Sequence, residues 1–280
     1  MDCDKILQTD GGSIITGLRC FSLPLILDCG QAFRWSENAD GSWSGVAMNR
    51  ELRLKQDGDR LFFENTTPDE IKNIWIKYFD LGRDYTAICK RLSADENLKT
   101  ACSEYPGIRI LKQDEWETLC SFILSQNNNI PRIRKIIASL CERFGAPIAG
   151  TPFYAFPTAE RLAEAGMEGL AEIRCGFRAK YVADAAARVA SGALDLEALR
   201  KQSYEAAKAA LMTVYGVGAK VADCVLLFSL GFYEAFPVDV WVKKIIAKYY
   251  GEGFDGRRFG AYAGVAQQYL FYYERSLSGR

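Results

Sequence analysis

Residues 211–241 of the chain read LMTVYGVGAKVADCVLLFSLGFYEAFPVDVW, and this stretch predicts two helices joined by a tight turn. The turn contains Gly216 and Gly218, because glycine adopts the positive φ angles that such turns require. Lys220 stands at the start of the second helix, which is almost continuously apolar. Asp239 follows a proline and occupies the N-cap position of a third helix, VWVKKIIAKYY. The stretch therefore places a turn, an amine and a carboxylate close together in the chain.

Each of these features has a chemical interpretation and a plain structural one. Backbone N–H groups at a helix N-terminus favour a phosphate, but a glycine turn is also an ordinary helix corner. Lys220 resembles a surface lysine, yet an amine beside an apolar core has its charged form disfavoured and becomes nucleophilic. Asp239 caps its helix, and its carboxylate is also placed to approach the Lys220 amine. Together the three groups fit chemistry on a nucleic-acid sugar.

The composition is that of an ordinary globular protein, with 280 residues of which 49% are hydrophobic and 25% charged. This length allows two moderate domains or one large core. Lys+Arg and Asp+Glu each total 35, so the formal net charge is zero. A neutral chain argues against broad, non-specific binding of polyanions, although a local basic face is compatible with it.

Histidine is absent from the chain, which excludes Ser-His-Asp and Cys-His catalysis and most zinc enzymes. The nine cysteines contain no C-x-x-C pair, and their odd number and wide scatter predict reduced thiols in an intracellular protein. They also lack the close C-terminal cluster that an iron–sulfur centre needs. No signal pattern and no run of about 20 apolar residues is present, so we expect no membrane association. We predict neither a metal site nor an organic cofactor.

The pattern of apolar residues changes along the chain from alternation to a helical period, which predicts an α+β fold. Leu23–Leu27 and the following DCGQAFRW are interpreted as strands, and Asp57-Gly58 between two alternating runs predicts a hairpin. We expect an antiparallel sheet up to about Asn65, and then a helix from Thr67-Pro68. The predicted division is an N-terminal sheet domain with helices at residues 1–105 and a helical domain at 106–280, whose C-terminal helix packs back on the first.

Helices are predicted throughout the second domain. A polar turn, SQNNN at residues 125–129, separates the first two of them. The predicted helices are Asp114–Leu124, Pro131–Phe144, Ala159–Ala165, Arg178–Ala190 and Leu196–Tyr215.

The segments GVGAKVADC and PVDV resemble the 8-oxoguanine DNA glycosylases, a family of helix–hairpin–helix (HhH) DNA glycosylases, in both order and spacing. Further matches lie in separate parts of the chain, in the same order as in the family. They are CGQAFRW at residues 29–35, SQNNNIPRIRK at 125–135, GFRAKYV at 176–182 and YAGVAQQYLF at 262–271. The resemblance covers most of the chain and implies a glycosylase with lyase activity that needs no metal or cofactor.

The resemblance implies specific roles around the reacting sugar and base. Lys220 corresponds to the amine that attacks the sugar C1′, and Asp239 to the carboxylate that assists it. Gly30 corresponds to the glycine whose carbonyl accepts the N7–H of the lesion; undamaged guanine has an acceptor at N7 instead. Cys224 and Phe271 correspond to the two faces that enclose the extruded base. As isolated residues, all of these except the lysine and the aspartate are as readily explained by packing or turn formation.

Further positions correspond to residues that read the base or hold the DNA. Gln267 corresponds to the reader of the Watson–Crick edge. Gly216 and Gly218 belong to the hairpin that binds a phosphate. Four residues correspond to those that fill the vacated stack and contact the orphaned partner base, and they are Asn127, Arg132, Phe177 and Arg178.

Two positions depart from the more familiar pattern of the family. Phe177 stands where tyrosine is common, which preserves an aromatic wedge without its hydroxyl. Trp241 replaces a histidine two residues after Asp239, and Glu274 rather than aspartate lies near that histidine's partner site. We expect Trp241 at the substrate, with the 5′ phosphate side of the lesion held by contacts other than those of a histidine.

The expected activity is therefore excision of 8-oxoguanine from duplex DNA, preferentially opposite cytosine, by a monomeric enzyme that acts in base excision repair. One alternative is an HhH glycosylase with another base preference. Adenine-directed or thymine-glycol-directed relatives are expected to carry iron–sulfur cysteines, and an alkyl-purine enzyme does not need the lysine. The other alternative is a non-catalytic HhH module that only binds DNA, which requires neither Lys220 nor Asp239.

Overall fold

The N-terminal part of the chain forms a six-stranded sheet in a computed structural model that describes residues 1–278. Its strands are β1 (Lys5–Thr9), β2 (Gly12–Thr16), β3 (Trp35–Glu37), β4 (Trp43–Ala47), β5 (Arg50–Asp57) and β6 (Arg60–Glu64). They are arranged in the order β1-β2-β6-β5-β4-β3, and every neighbouring pair is antiparallel.

Helices make up most of the rest of the chain. The α-helices are α1 (Leu23–Leu27), α2 (Pro68–Glu70), α3 (Ile76–Tyr78), α4 (Tyr85–Leu92), α5 (Glu96–Glu104), α6 (Glu115–Leu124), α7 (Ile130–Phe144), α8 (Ala159–Glu172), α9 (Ala179–Ala190), α10 (Tyr204–Leu211), α11 (Ala219–Val225), α12 (Val240–Tyr249) and α13 (Ala263–Leu277). Short π-helical turns at Ile71–Trp75 and Leu226–Leu230 continue α2 and α11, and 3₁₀ turns occur at Gly176–Arg178, Ala198–Lys201 and Gly256–Tyr262. The α+β prediction is confirmed.

Local signals for turns and helix starts were reliable. Asp57 pairs with Arg60 across a hairpin in which Gly58 has φ +57°, as the Asp-Gly pair predicts. The helix predicted from Thr67 begins with a capping box, in which the Thr67 hydroxyl and the Glu70 carboxylate each accept a backbone N–H.

The prediction for the segment before β3 was wrong. Leu23–Leu27 is the helix α1, with Pro24 in its first turn, and it buries Leu23, Ile26 and Leu27 at helical spacing. Residues 28–34 form a loop rather than a strand, and the sheet includes the unpredicted β1–β2 hairpin.

Two predicted helices have different limits. The single helix expected at Leu196–Tyr215 is divided, because Ser203 starts a new helix by accepting the N–H of Ala206 through its side chain. The helix expected at Ala159–Ala165 continues to Glu172 through a kink at Gly166, where φ is +58°.

The buried side chains form two cores. The smaller one lies on the sheet and includes Trp35, Phe63 and Trp75. The larger one holds the helices from α4 onward, so Tyr85 and Leu98 already belong to it. The C-terminal helix α13 packs on α5. The division into domains at residues 105 and 106 stays a prediction.

A buried polar network joins the two cores. The Arg109 guanidinium, with no exposed surface, donates to Asp2 Oδ2 at 2.9 Å and to the carbonyls of five further residues. Asp80 accepts hydrogen bonds from Tyr85 Oη at 3.0 Å and from Tyr233 Oη at 2.6 Å. Because each of these buried charges is fully partnered, the cores are held in one relative position.

Candidate active site

One pocket brings together residues from five separate parts of the chain. The loop after α1, helix α6, helix α11 with its π-helical continuation, the segment before α12, and helix α13 all reach it. Its lining residues are Cys29, Gly30, Phe122, Lys220, Cys224, Phe228, Pro237, Asp239, Gln267, Gln268 and Phe271. Six of the seven residues predicted to act on the sugar or the base are among them.

Lys220 lies in the first turn of α11 and its side chain is half-buried. Its Nζ is 3.3 Å from Ser125 Oγ and 5.0 Å from the centre of the Phe122 ring. The ring face and the hydroxyl hold the amine at the pocket wall, and the aromatic face attracts its charged form. Ser125, which the sequence placed only in a polar turn, is therefore a hydrogen-bond partner of Lys220.

Asp239 caps α12 and lines the same pocket. Its Oδ1 accepts the backbone N–H of Val242 at 2.8 Å, as the N-cap prediction requires. Within residues 1–278, its Oδ2 has no hydrogen-bond partner, and no ion pair of 4.0 Å or less joins it to Lys220. The amine and the carboxylate thus line one cavity without a direct ion pair between them.

The thiol of Cys224 is an uncharged part of the wall. Its side chain is buried in α11, and burial raises the pKa of this thiol to about 12, against the opposing influence of the Lys220 charge. At neutral pH it therefore presents a neutral, polarizable surface beside the amine.

Gly30 and Phe271 lie against each other on another side of the pocket. A Cβ built on Gly30 would lie 3.6 Å from Phe271 Cε1, which is ordinary contact. Its φ of +78° is the feature that favours glycine there, since side-chain-bearing residues rarely adopt it. Neither N–H nor O–H in the described part of the chain donates to the Gly30 carbonyl, which is thus an available acceptor.

Gln267 contributes an unused polar atom. The residue is buried in α13, and its Oε1 has no hydrogen-bond partner among the residues that the structure describes. A buried, unpaired amide oxygen costs about 1–3 kcal/mol, so its presence on a pocket wall points to a ligand that donates to it.

The predicted hairpin is formed by α10, the glycine turn and α11. Gly216 has φ +81° and packs on the Tyr181 ring, whereas Gly218 is the N-cap of α11, with φ −100° and open space beside it. Across the hairpin, Lys208 Nζ is 2.8 Å from the Asp223 carboxylate. This ion pair between a half-buried lysine and a buried aspartate connects the two helices and holds the turn in place.

Three of the four residues predicted to fill the stack or contact the orphaned base have exposed side chains. Asn127 is exposed, with φ +48°, in the turn between α6 and α7. Phe177 is 47% exposed and packs edge-on against Tyr181, so its ring is available to insert into a base stack. Arg132 is exposed on α7, and no side-chain partner for it occurs among residues 1–278.

Arg178 is arranged differently from these three. It is buried, and its guanidinium donates to the carbonyls of Gln126, Asn127 and Cys175. Burial lowers its pKa, and the nearby charge of Arg132 adds to this effect. The contact of Arg178 with a partner base stays a prediction, and such a contact requires these bonds to be exchanged. In the present arrangement Arg178 supports the Asn127 turn.

Trp241 lies outside the pocket lining. It is half-buried in the first turn of α12, with Lys244 Nζ 5.0 Å from the centre of its ring. Glu274 is bound to Lys248 Nζ and to Tyr249 Oη, each at 2.9 Å. The role of Trp241 at the substrate stays a prediction.

Five further residues line the pocket that were not predicted from the sequence, and they are Cys29, Phe122, Phe228, Pro237 and Gln268. For Gln268 a signal was present, because a second glutamine beside Gln267 on an apolar helix must be hydrogen-bonded when it is buried.

No group of three potential metal ligands occurs among residues 1–278. No helix in this part of the chain is long and apolar enough to cross a membrane.

Comparison with known proteins identifies the family. Residues 13–119 match the model of the 8-oxoguanine DNA glycosylase N-terminal domain, and residues 120–255 match that of the HhH-GPD superfamily base excision DNA repair proteins. The chain belongs to the 8-oxoguanine DNA glycosylase family. It is an enzyme of the N-glycosylase/DNA lyase class.

Individual relatives agree with this assignment. The N-glycosylase/DNA lyase of Saccharomyces cerevisiae is 34% identical over 252 residues, which are 80% of this chain and 67% of the yeast protein. The 8-oxoguanine glycosylase/lyase of Clostridium acetobutylicum, solved with duplex DNA containing cytosine opposite 8-oxoG, is 39% identical with a TM-score of 0.94. That match covers 99% of this chain and 100% of the other. MBOgg1, solved with a low-affinity DNA ligand, is 45% identical with a TM-score of 0.94, over 98% of this chain and 99% of the other.

Proposed function

We propose that this enzyme excises 8-oxoguanine from duplex DNA, preferentially opposite cytosine, through a Schiff base on Lys220. The observation that carries the proposal is the shared pocket in which the Lys220 amine and the Asp239 carboxylate stand apart but face the same space. The relatives that act on, or were solved with, 8-oxoguanine DNA support the choice of substrate.

The proposed reaction releases the base first and then cleaves the strand. The uncharged Lys220 Nζ attacks C1′, the bond from C1′ to the base nitrogen breaks, and the base leaves with the electron pair and takes up a proton. Asp239 stabilises the positive charge that develops on the sugar. Opening of the sugar ring gives the imine, loss of a C2′ proton expels the 3′ phosphate, and water then releases the amine.

Recognition uses the polar atoms that remain free in the pocket. The Gly30 carbonyl accepts the N7–H that 8-oxoguanine has and guanine lacks. Gln267 Oε1 accepts a hydrogen from the Watson–Crick edge, and the base lies between Cys224 and Phe271. Phe177 and Asn127 fill the stack that the extruded nucleotide leaves, and Arg132 and Arg178 donate to the cytosine that remains.

The nucleophile is tested by Lys220→Gln in borohydride trapping on duplex DNA that contains 8-oxoguanine opposite cytosine. The variant should bind the duplex but neither release the base nor form the covalent adduct, because an amide nitrogen forms no imine. Lys99→Gln, at an exposed lysine of α5, is the matched control and should trap like the wild type. A covalent adduct with Lys220→Gln would show that another amine carries the reaction.

A further inference from the structure

The loop that carries Gly30 is held by buried side-chain amides on both sides. On its downstream side, Gln31 Nε2 donates to Ile26 O at 3.0 Å and to Arg109 O at 2.8 Å, and Gln31 Oε1 accepts the N–H of Leu111 at 2.9 Å. All the polar atoms of the Gln31 side chain are therefore used to anchor the loop, and the residue is 1% exposed.

On the upstream side the anchor comes from α13. Gln268 Nε2 donates to the Cys29 carbonyl at 2.6 Å, and Gln268 is only 2% exposed. Gln268 directly follows Gln267, so consecutive residues of one helix reach the loop and the pocket. No other hydrogen bond to the Cys29 carbonyl occurs in the described part of the chain.

These anchors determine where the Gly30 carbonyl points. The Cys29 carbonyl and the Gly30 N–H belong to one rigid peptide plane, so the bond from Gln268 orients that plane. Gln31 fixes the position of the chain just beyond. Glycine is the residue with the softest φ and ψ angles, and a loop with glycine at this point needs restraints on both sides to hold one carbonyl direction.

We propose that Gln268 is a positioning residue for lesion recognition, which orients the Gly30 carbonyl so that it accepts the lesion's N7–H. This inference rests on the proposed function, since it assigns the reading of N7–H to Gly30. Gln268 acts through the loop, and within residues 1–278 it makes no hydrogen bond to Lys220 Nζ. Loss of its bond should therefore impair base recognition and spare the chemistry on the sugar.

The test compares two substrates with the same protein. Gln268→Met keeps the length of the side chain and removes the donor. Single-turnover base release from 8-oxoguanine opposite cytosine should fall roughly 10- to 100-fold, the loss expected when a reacting partner is misplaced by a fraction of an ångström to 1 Å. Borohydride trapping on an abasic-site duplex, which has no base to recognise, should stay within about twofold of the wild type.

A third substrate isolates the N7 contact. The wild type should prefer 8-oxoguanine to an analogue with carbon and no hydrogen-bond donor at position 7, and Gln268→Met should lose most of this preference. Gln56→Met is the control, because Gln56 Nε2 also donates to backbone carbonyls, of Phe21 and Gly58, but lies outside the pocket. It should leave all three rates unchanged.

Each result has a distinct meaning. Equal losses on the 8-oxoguanine and abasic substrates, or no loss on either, would overturn the role of Gln268, as would an unchanged preference for N7–H. All rates are referred to the fraction of protein that traps, so that a partly folded variant can still be compared. If Gln268→Met folds poorly, Gln268→Leu, a second variant without the donor, should give the same ratios between the rates on the three substrates. A wild type that releases no 8-oxoguanine would instead refute the proposed function, and this inference with it.

Discussion

Exchanging each hairpin glycine for alanine should separate its structural role from its role in DNA binding. At Gly216 the φ of +81° disfavours alanine, and an added Cβ would lie 2.6 Å from Tyr181 Cδ2 and closer still to two other ring carbons. The ring would have to move, and its edge-on contacts with Tyr215 and Phe177 would move with it. At Gly218 φ is −100° and a Cβ meets nothing within 4 Å.

These differences give the expected sizes of the two effects. Alanine in a left-handed conformation costs about 1–2 kcal/mol, and forced displacement of a packed ring costs about 1–3 kcal/mol. Gly216→Ala should therefore lower the free energy of unfolding by about 2–5 kcal/mol, or the Tm by roughly 5–15 °C. For Gly218→Ala, the loss of glycine at an N-cap and the lower entropy of the unfolded chain oppose each other, and the change should stay below about 1 kcal/mol.

Thermal unfolding followed by circular dichroism, together with the affinity for an abasic-site duplex, measures both effects. Gly218→Ala should melt like the wild type but bind DNA more weakly, since its methyl group projects into the open space beside the hairpin N–H groups. Gly216→Ala should show its main effect as a lower Tm than that of the wild type. A Gly216→Ala protein with the Tm of the wild type would refute the packing argument, and full DNA affinity in Gly218→Ala would refute the phosphate role of the turn.

Three further predictions concern catalysis, partner choice and pH. Asp239→Asn should slow base release roughly 10²- to 10⁴-fold with an unchanged Tm, because asparagine is also a good N-cap; a collapse of the Tm would mark a structural residue. Arg132→Met should reduce the preference for cytosine over adenine opposite the lesion by about 1–3 kcal/mol, and equal wild-type rates opposite all four bases would contradict its role. Burial raises the pKa of Glu117 to about 7 despite Arg34 at 3.3 Å, so the folded state keeps a proton that the unfolded state loses above its ordinary pKa of 4.5. The contribution of this group to stability should then fall as the pH rises from 4.5 to 7, by roughly 3 kcal/mol at most, and Glu117→Gln should remove that slope from urea-unfolding free energies; an identical slope in both proteins would contradict it.

Locally encoded features were predictable from the sequence. The Asp57-Gly58 hairpin, the helix start at Thr67 and the Asp239 N-cap each depend on groups within three residues of one another, and all three appear as predicted. The errors arose where a local signal was overlooked. Pro24 in the first turn and the helical spacing of Leu23, Ile26 and Leu27 indicated a helix rather than a strand.

The sequence by itself determined the fold class and the hairpin, and it pointed to Lys220 and Asp239 as the proposed reacting pair, because turn, cap and motif chemistry lies within short segments. Only the tertiary structure decided what surrounds them. Phe122 on α6 and Ser125 at its C-cap reach Lys220, and Gln268 holds the Cys29 carbonyl from the opposite end of the chain, 239 residues away. Contacts between such distant residues depend on how whole helices pack on the two cores, and neither propensity nor periodicity encodes that arrangement within a window of sequence.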